Sequence, residues 1–598
     1  MKKIIIILIV YLTITVPSQI GNCQSLTFDA IQELIDSLNT HFPAICQRVD
    51  IGNSVLGEPI SALKISDNVT VDENEPEIML EGCIHGDEQV AANLLCNLAR
   101  KFCLQYITSQ QVQDLVNSRE IWILPVINPD GYIGEPGWGP TRVNANHVDL
   151  NRDAGYMWTG YYGSSPGPFS QPETKALRDF IISRNFNLLI DYHSGLQGIM
   201  YPWAYRPDDA PDNGELAFLA NAYDASSGYP AGQFAVSKGY DLYQTNGSFI
   251  EFTYGTSGIN SFNVELFTGF SGTGSLAMEY NQASIIMMID KAGLGIQGTV
   301  TDANTGNPIP ARITIQGKMP VYNSSSIGDY HKFLLPGTYS VTVSANGYNS
   351  ETVSNVIVTT GNATTIDFQL TAIISDHSAF RIITVKNFQD GVVPADPAET
   401  WKVPGMPDGL YYSLGDTGYI VLDPGASLVD VSGPDITVTG SGNIYDLFYS
   451  STPDGPWTFL GNGTSTQSFE LGNVQTARYI KIADNGNGSG NAIGAGFHLD
   501  AVTVVQTTVG IVEPEAKSMT FQMYPNPTTG IVHISSSISS DGHLLITIFD
   551  VIGRQVYQSE SQIVNGFAKI DLSYFPKGMY FVRIQNGTTA ETVKVILQ

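Results

Sequence analysis

The 598-residue chain carries 57 acidic against 29 basic side chains, a net charge of −28 at pH 7, although only 14% of its residues are charged. That length exceeds what one hydrophobic core serves, so several domains are expected. The acidic balance excludes nucleic acid and anionic membrane as electrostatic partners, and the plentiful Gly, Thr, Ser and Asn suit a secreted, β-rich protein.

Met1-Lys2-Lys3 ahead of the apolar run Ile4 to Val10 predicts a secretory signal peptide over residues 1–23. Cys23, after Ile20-Gly21-Asn22, leaves a bacterial lipoprotein site open as the alternative. No other segment has the ~20 continuous apolar residues of a membrane helix, so no transmembrane segment is expected. From 24 to 293, strands alternate with amphipathic helices. Helical spacing of apolar residues marks Phe28 to Leu38 and Val90 to Cys103, and strict alternation marks a strand over Ile60 to Ile65. Ile121 to Val126 and Leu188 to Ile190 read as buried strands, with a helix from Pro172 to Arg184 between them. This order predicts an α/β domain whose mixed, mostly parallel sheet is covered by helices on both faces. Cys46, Cys83, Cys96 and Cys103 all fall here. Cys96 and Cys103 are two helical turns apart, too far to bridge each other, and the sequence leaves open a disulfide elsewhere or buried free thiols.

At Leu294 the pattern becomes β-only. Ile296 to Asp302, Ala311 to Gln316 and Thr338 to Val343, separated by Gly, Pro and Asn, predict a β domain over 294–372. In a second β block, 373–508, strands are expected at Tyr419 to Leu422, Tyr445 to Tyr449 and Tyr479 to Ile482. Its aromatic and Asp-rich turns suit a jelly-roll-like sandwich that binds carbohydrate or calcium (Ca2+), or a plain spacer. Residues 509–518 read as a linker and 519–598 as a third all-β, sandwich-type domain.

The chemistry sits in separated segments of the first domain. His85-Gly86-Asp87-Glu88 lies where the strand Ile78-Met79-Leu80 gives way to a helix near Gln89, and His193 stands at the end of the strand Leu188-Leu189-Ile190. Two histidines and a glutamate form a catalytic ligand set for zinc (Zn2+) that leaves one coordination position open for water. His-x-x-Glu alone recurs by chance; a second His at a strand's carboxyl end, where open α/β sheets place their ligands, strengthens it. Thr141-Arg142-Val143-Asn144 and Val148-Asp149-Leu150-Asn151-Arg152 lie between, with Tyr243 and Glu265 later.

In this order the segments resemble the M14 zinc carboxypeptidases over roughly residues 26 to 293. The resemblance implies that His85, Glu88 and His193 hold one zinc ion. It implies that Glu265, in Phe262-Asn263-Val264-Glu265-Leu266, is the base that takes a proton from water and passes it to the leaving amine. Arg142 would polarise the scissile carbonyl. Asn151, Arg152 and Tyr243 would clamp a free C-terminal carboxylate, which points to exopeptidase action on peptides or proteins with a free C-terminus. Members that remove Lys or Arg carry an acidic side chain just after the Tyr-Pro that follows the second His, or on the pocket floor near the Tyr loop. Here those places hold Ala204, after Tyr201-Pro202-Trp203, and Ile250, so an apolar or aromatic C-terminal residue is expected; Glu251 and the Asp208-Asp209 loop remain as acids within reach. The family continues Asn-Arg with Asn-Phe, whereas this chain has Asp153-Ala154-Gly155, so the loop behind the clamp is expected to differ. Family-like sequence starts almost directly after the leader, which argues against zymogen control.

Residues 294–372 resemble the transthyretin-like domain that follows the catalytic domain in one branch of these enzymes; an unrelated β spacer fits the same pattern. The end of the chain, with Met523-Tyr524-Pro525-Asn526-Pro527, Ile546 to Arg554 and Lys577 to Ile584, resembles the sorting domain of type IX secretion. That implies the type IX machinery as a partner, and a secreted or outer-surface location on a Gram-negative bacterium. Two further readings stay open: an adhesion or glycan-binding protein with a vestigial peptidase domain, and a cell-wall peptide hydrolase using the same zinc chemistry.

Overall fold

The computed structural model describes residues 26–160, 163–267, 274–373, 377–386, 400–472, 477–486 and 496–505, with most of the strands between 521 and 597. The expected signal peptide with Cys23 and the linker 509–518 lie outside the described residues. The chain up to Thr507 forms one compact unit and Thr508–Gln598 a second.

Helix α1 (Phe28–His41) starts on Thr27, whose Oγ1 accepts the Ala30 N–H at 3.2 Å, and buries Phe28, Ile31, Ile35 and Leu38 on its apolar stripe. Strands β1 (Cys46–Asn53), β2 (Pro59–Ile65) and β3 (Glu77–Gly82) follow, then α2 (Val90–Gln105), α3 (Gln110–Val116), β4 (Glu120–Leu124) and α4 (Pro129–Ile133). The domain is completed by α5 (Pro172–Ile182), β5 (Phe186–His193), β6 (Gly198–Tyr201), α6 (Asn213–Ser226), β7 (Ala235–Lys238), α7 (Gly239–Leu242), α8 (Phe249–Ser257), β8 (Asn260–Glu265) and α9 (Gly274–Lys291). The sheet order is β1-β2-β4-β3-β5-β8-β6-β7. The central run β4-β3-β5-β8 is parallel, and β1, β2 and β6 join antiparallel to their inner neighbours, which gives the expected mixed sheet. β3 and β5 are buried along their whole length, as strands covered on both sides must be. The chain leaves β3 for β4 on one side and returns as β5 on the other, opening a crevice at the carboxyl ends of β3 and β5. The four described cysteines are buried and free, so the thiol alternative is the one observed.

The second domain holds β9 (Gly295–Asp302), β10 (Arg312–Ile315), β11 (Val321–Tyr322), β12 (Asp329–Lys332), β13 (Gly337–Ser344), β14 (Glu351–Val358), β15 (Ala363–Thr365) and β16 (Phe368–Leu370). They form two small sheets around Val300, Ile313, Tyr330, Val341 and Val343. The domain is docked on the first by a fully buried ion pair, Lys332 Nζ to Asp212 Oδ2 at 2.9 Å.

The third region contains β17 (His377–Ser378), β18 (Arg381–Lys386), β19 (Tyr412–Ser413), β20 (Tyr419–Asp423), β21 (Ile436–Ser450), β22 (Thr458–Phe469), β23 (Tyr479–Asp484) and β24 (Phe497–Val504). The long β21 is shared: its first half pairs with β24 and its second half with β23. This region grips the loop where Asp153-Ala154-Gly155 departs from the family. The Val385 N–H donates to Gly155 O at 2.7 Å, the Tyr156 hydroxyl meets Thr400 Oγ1 at 3.0 Å, and Trp203 stacks on Trp401 at 6.2 Å. Buried Arg178 of α5 makes two hydrogen bonds to Asp454, at 2.7 and 3.0 Å. The altered loop is thus a docking surface for a neighbouring domain.

In the second unit, β25 (Phe521–Tyr524), β26 (Ile531–Ser536) and β29 (Phe567–Asp571) form one sheet, and β27 (Gly542–Phe549), β28 (Gln555–Ile563), β30 (Gly578–Asn586) and β31 (Thr589–Leu597) another. Their core includes Val532, Ile534, Ile546, Ile548, Val582, Ile584 and Val595, the inward members of alternating strands.

Candidate active site

The turn between β3 and α2 carries His85 and Glu88, and His193 ends the neighbouring strand β5, so chain topology brings the three together. His85 Nδ1 lies 2.7 Å from Glu88 Oε1, His193 Nδ1 3.0 Å from Glu88 Oε2, and the two Nδ1 atoms 3.3 Å apart. All three side chains are buried. The tight turn needs Gly86, where a Cβ would sit 2.0 Å from the carbonyl carbon of Gly131. Donors around one ion with bonds of roughly 2.0–2.1 Å fall roughly 3.3 Å apart, so this nitrogen–nitrogen–carboxylate set fits a single zinc.

The outer ring nitrogens are held from behind. His193 Nε2 lies 2.8 Å from Asp191 Oδ2 and 3.3 Å from the Asn151 side-chain amide, and His85 Nε2 lies 3.3 Å from Asp149 Oδ1. The Asp191 carboxylate behind His193 fixes that ring's tautomer with the Nδ1 lone pair facing the cluster, and Asp149 stands as a charged neighbour behind His85. Burial alone would raise the Glu88 carboxyl, but His193 and His85 hold it well below the usual range. Asp149 is held low against burial in the same way, by His85, Arg152 and Arg142. Asp149 and Asp191 were not singled out from sequence. Asp191 was recoverable from strand alternation, since it lies two residues before His193 on one face, whereas Asp149 needed the fold.

Arg142 donates through Nε to Asp149 Oδ2 at 2.9 Å and brings Nη1 within 3.2 Å of His85 Nδ1. Arg152 Nη2 reaches the Tyr243 hydroxyl at 3.4 Å, with the phenol ring 5.6 Å from the guanidinium and Tyr243 53% exposed. The Arg152 carbonyl accepts from Trp158 Nε1 at 3.0 Å, and Trp158 in turn donates its own N–H to Val385 O of the third region at 3.3 Å. Gly247, at φ +73°, closes against the same carbonyl, where a Cβ would come within 2.8 Å. The Asn151 amide oxygen accepts the Phe249 N–H at 3.2 Å, linking the clamp to the start of α8.

Glu265 ends β8 and stands in register beside His193. Its Oε2 accepts the Leu196 N–H at 3.3 Å, and burial raises its carboxyl above the ordinary value. Ala204 and Ile250 are both buried and are joined through Glu251, whose Oε1 accepts the Ala204 N–H at 2.7 Å. Glu251 Oε2 is buried without a partner, and burial pushes this carboxyl up to about 8. The structure thus gathers His85, Glu88, His193, Arg142, Asn151, Arg152, Tyr243 and Glu265 around one crevice, and it buries Ala204 and Ile250 beside Glu251.

Residues 31–279 match the family model for zinc carboxypeptidases. The catalytic chain of carboxypeptidase N from Mus musculus is 30% identical over 389 residues, covering 57% of this chain and 85% of that protein. The chain belongs to the zinc carboxypeptidase family. It is a hydrolase of a zinc-dependent family, and Carboxypeptidase SOL1 of Arabidopsis thaliana is 28% identical to it over 361 residues, 58% of this chain and 72% of that one. The crystal structure of carboxypeptidase A from Helicoverpa armigera aligns with 44% of this chain and 71% of that chain, at 23% identity and a TM-score of 0.40. Residues 295–371 match a carboxypeptidase regulatory-like domain, as the transthyretin-like expectation required, and 522–598 match a secretion system C-terminal sorting domain. The sorting domain indicates type IX secretion, to the outer surface or beyond. Among the described residues no helix is long and apolar enough to cross a membrane.

Proposed function

We propose that this carboxypeptidase is exported from a Gram-negative bacterium by its signal peptide and sorting domain, and removes single residues from peptides or proteins with a free C-terminus, preferring apolar or aromatic ones. The observation that carries the reading is the convergence of His85, Glu88 and His193 at 2.7–3.3 Å, with the Arg152–Tyr243 pair on the same crevice. His85, Glu88 and His193 would hold a zinc ion, which when bound would supply a Lewis acid and a water of lowered pKa. Glu265 accepts the proton of the attacking water and returns it to the leaving amine. Arg142, held through Nε and Nη2 by Asp149, presents Nη1 on the side of the metal ligands, 3.2 Å from His85 Nδ1, where it meets the carbonyl oxygen as negative charge develops there. Arg152 offers the planar fork that matches a carboxylate, Asn151 adds an amide, and the exposed Tyr243 closes over the bound end.

The apolar preference rests on Ala204 and Ile250 at the pocket and on Glu251, whose carboxyl is neutral over most of the physiological range. Hydrolysis of matched peptides ending in Phe, Leu, Lys and Arg tests it. Phe and Leu should be released about tenfold faster, the worth of roughly 1.4 kcal/mol of side-chain discrimination. Dominant release of Lys and Arg overturns the pocket assignment, and equal cleavage of C-terminally amidated peptides overturns the clamp.

A further inference from the structure

The opposite end of the sheet from the zinc ligands holds a second cluster of carboxylates. Glu77 and Glu120 begin the parallel neighbours β3 and β4 and stand directly in register. Both are buried, at 4% and 0% exposure. Glu77 Oε1 accepts the Asn185 N–H at 3.1 Å, while Glu120 Oε1 accepts from Lys64 Nζ at 2.7 Å and from the Glu73 N–H at 3.0 Å. The Oε2 atom of each is buried with no partner. Asp72, on the loop before β3, completes the group: one oxygen from each of the three residues lies within 4.8 Å of the others.

The regulatory-like domain closes over this cluster. Ser324 Oγ donates to Asp72 Oδ2 at 3.1 Å and Ser326 Oγ donates to the same atom. Asp329, at the start of β12 and 2% exposed, lies outside that 4.8 Å group but close enough to feel Asp72 and Glu120, and its Oδ1 is also unpartnered. Asn185, whose N–H binds Glu77, donates its side-chain amide to Asp329 O at 2.9 Å. The positive groups beside the cluster are Lys64, which pairs with Glu120 and Val71 O, Arg184, which faces Glu77, and Arg119, whose charge reaches His331. His331, beside Asp329, is held near 3 by burial and carries no charge at neutral pH. The four carboxylates thus outnumber the three cations beside them, and three of their buried oxygens are satisfied by nothing. Like charges side by side on adjacent strands are unfavourable, and unpaired buried oxygens call for a missing partner.

All the free ligand atoms are carboxylate oxygens, with serine hydroxyls beside them, contributed from both domains. That is the donor set of a hard cation with flexible coordination, which separates calcium from the strictly octahedral magnesium. We propose that Asp72, Glu77 and Glu120, with Asp329 beside them, hold a calcium ion that clasps the regulatory-like domain onto the amino-terminal edge of the catalytic sheet. Burial and mutual repulsion raise Glu77 and Asp329 to about 8, so without a cation the cluster takes up protons instead. The acidic group Asp430, Asp435 and Glu470 in the third region differs: Asp435 spends both oxygens on the Val431 and Leu471 N–H groups, at 2.8 Å each, as a loop staple.

The test uses the full zinc-loaded chain, freed of calcium, with thermal unfolding and terbium luminescence as readouts. Trp122, two residues from Glu120 on β4, lies 5.8 Å from Lys64 Nζ and is placed to sensitise terbium in the cluster. Calcium should raise the melting temperature by about 5 °C with a dissociation constant on the order of 10⁻⁴–10⁻³ M, magnesium should do much less, and calcium should displace terbium. Glu77→Gln and Asp72→Asn should each weaken both responses about tenfold, by loss of one charged ligand, while Asp435→Asn should leave them intact. Asp72 is on a surface loop, so its variant reads the site even where Glu77→Gln fails to fold. Absence of a calcium response in the parent chain overturns the proposal, as does a full response in Asp72→Asn.

Discussion

The two ends of the central sheet treat one kind of side chain in opposite ways. At the carboxyl ends of the strands, Glu88 faces His85 and His193, and Asp149 faces His85 and Arg142; both carboxyls sit well below their usual range although Glu88 is buried and the Asp149 side chain only 13% exposed. At the amino ends, Glu77 and Asp329 are as deeply buried, keep an unpartnered oxygen each, and sit near 8. Depth is common to the two ends, so the partner decides whether a buried carboxylate carries charge. Two groups near the catalytic end follow the amino-end pattern. Glu81, paired in register with Asp191, has both oxygens unpartnered and is raised by burial and by that neighbour, and Glu251 is raised by burial beside Ala204.

The contrast is broken most severely at Glu265. Glu265→Gln keeps the shape of the side chain and removes the proton acceptor, so kcat should fall about 10²–10⁴-fold with zinc per chain unchanged by elemental analysis. Retained turnover would take Glu265 out of the chemistry. Next comes the clamp: Arg152→Ala should raise KM for a peptide with a free C-terminus about 10–100-fold, the worth of a charged hydrogen-bonded pair, and change kcat less. An unaltered KM would mean that the terminal carboxylate binds elsewhere.

Smaller again is the effect of the carboxylate behind His193. Asp191→Asn should weaken zinc binding about 10–100-fold in competition with a chelator; unchanged affinity would show that Asp191 does not orient the ring. Glu251 gives the finest distinction. Its folded-state value of about 8 lies above the ordinary 4.5, so its contribution is fully present below pH 4.5 and is lost as pH rises through 8. Glu251→Gln should match the parent chain near pH 5 and exceed its stability by about 1–3 kcal/mol near pH 9, read by chemical denaturation. A gap that does not widen with pH would mean that this carboxyl has a partner after all.

How much of this could be read from the sequence depended on whether the signal was local. His85 and Glu88 sit in one turn, and His193 closes a strand whose apolar run is visible, so this candidate ligand set was legible before its convergence in the fold was known. Apolar periodicity likewise placed α1, β2 and α2 to within a few residues of their ends. The departure at Asp153-Ala154-Gly155 was visible as a difference but not as a docking surface, because Val385, which bonds Gly155, and Thr400, which bonds the adjacent Tyr156, lie more than two hundred residues away in the chain. The acidic cluster was illegible for the same reason: Asp72, Glu77, Glu120 and Asp329 meet only through the register of β3 on β4 and the seating of a second domain.

Anomalous diffraction at the zinc edge from crystals of the full chain tests the catalytic centre most directly. A single strong peak bounded by His85 Nδ1, the Glu88 carboxylate and His193 Nδ1, with Arg142 and Tyr243 on the same crevice, is the expected result. A peak bound by other residues, in protein that retains its zinc and its peptidase activity, would contradict it.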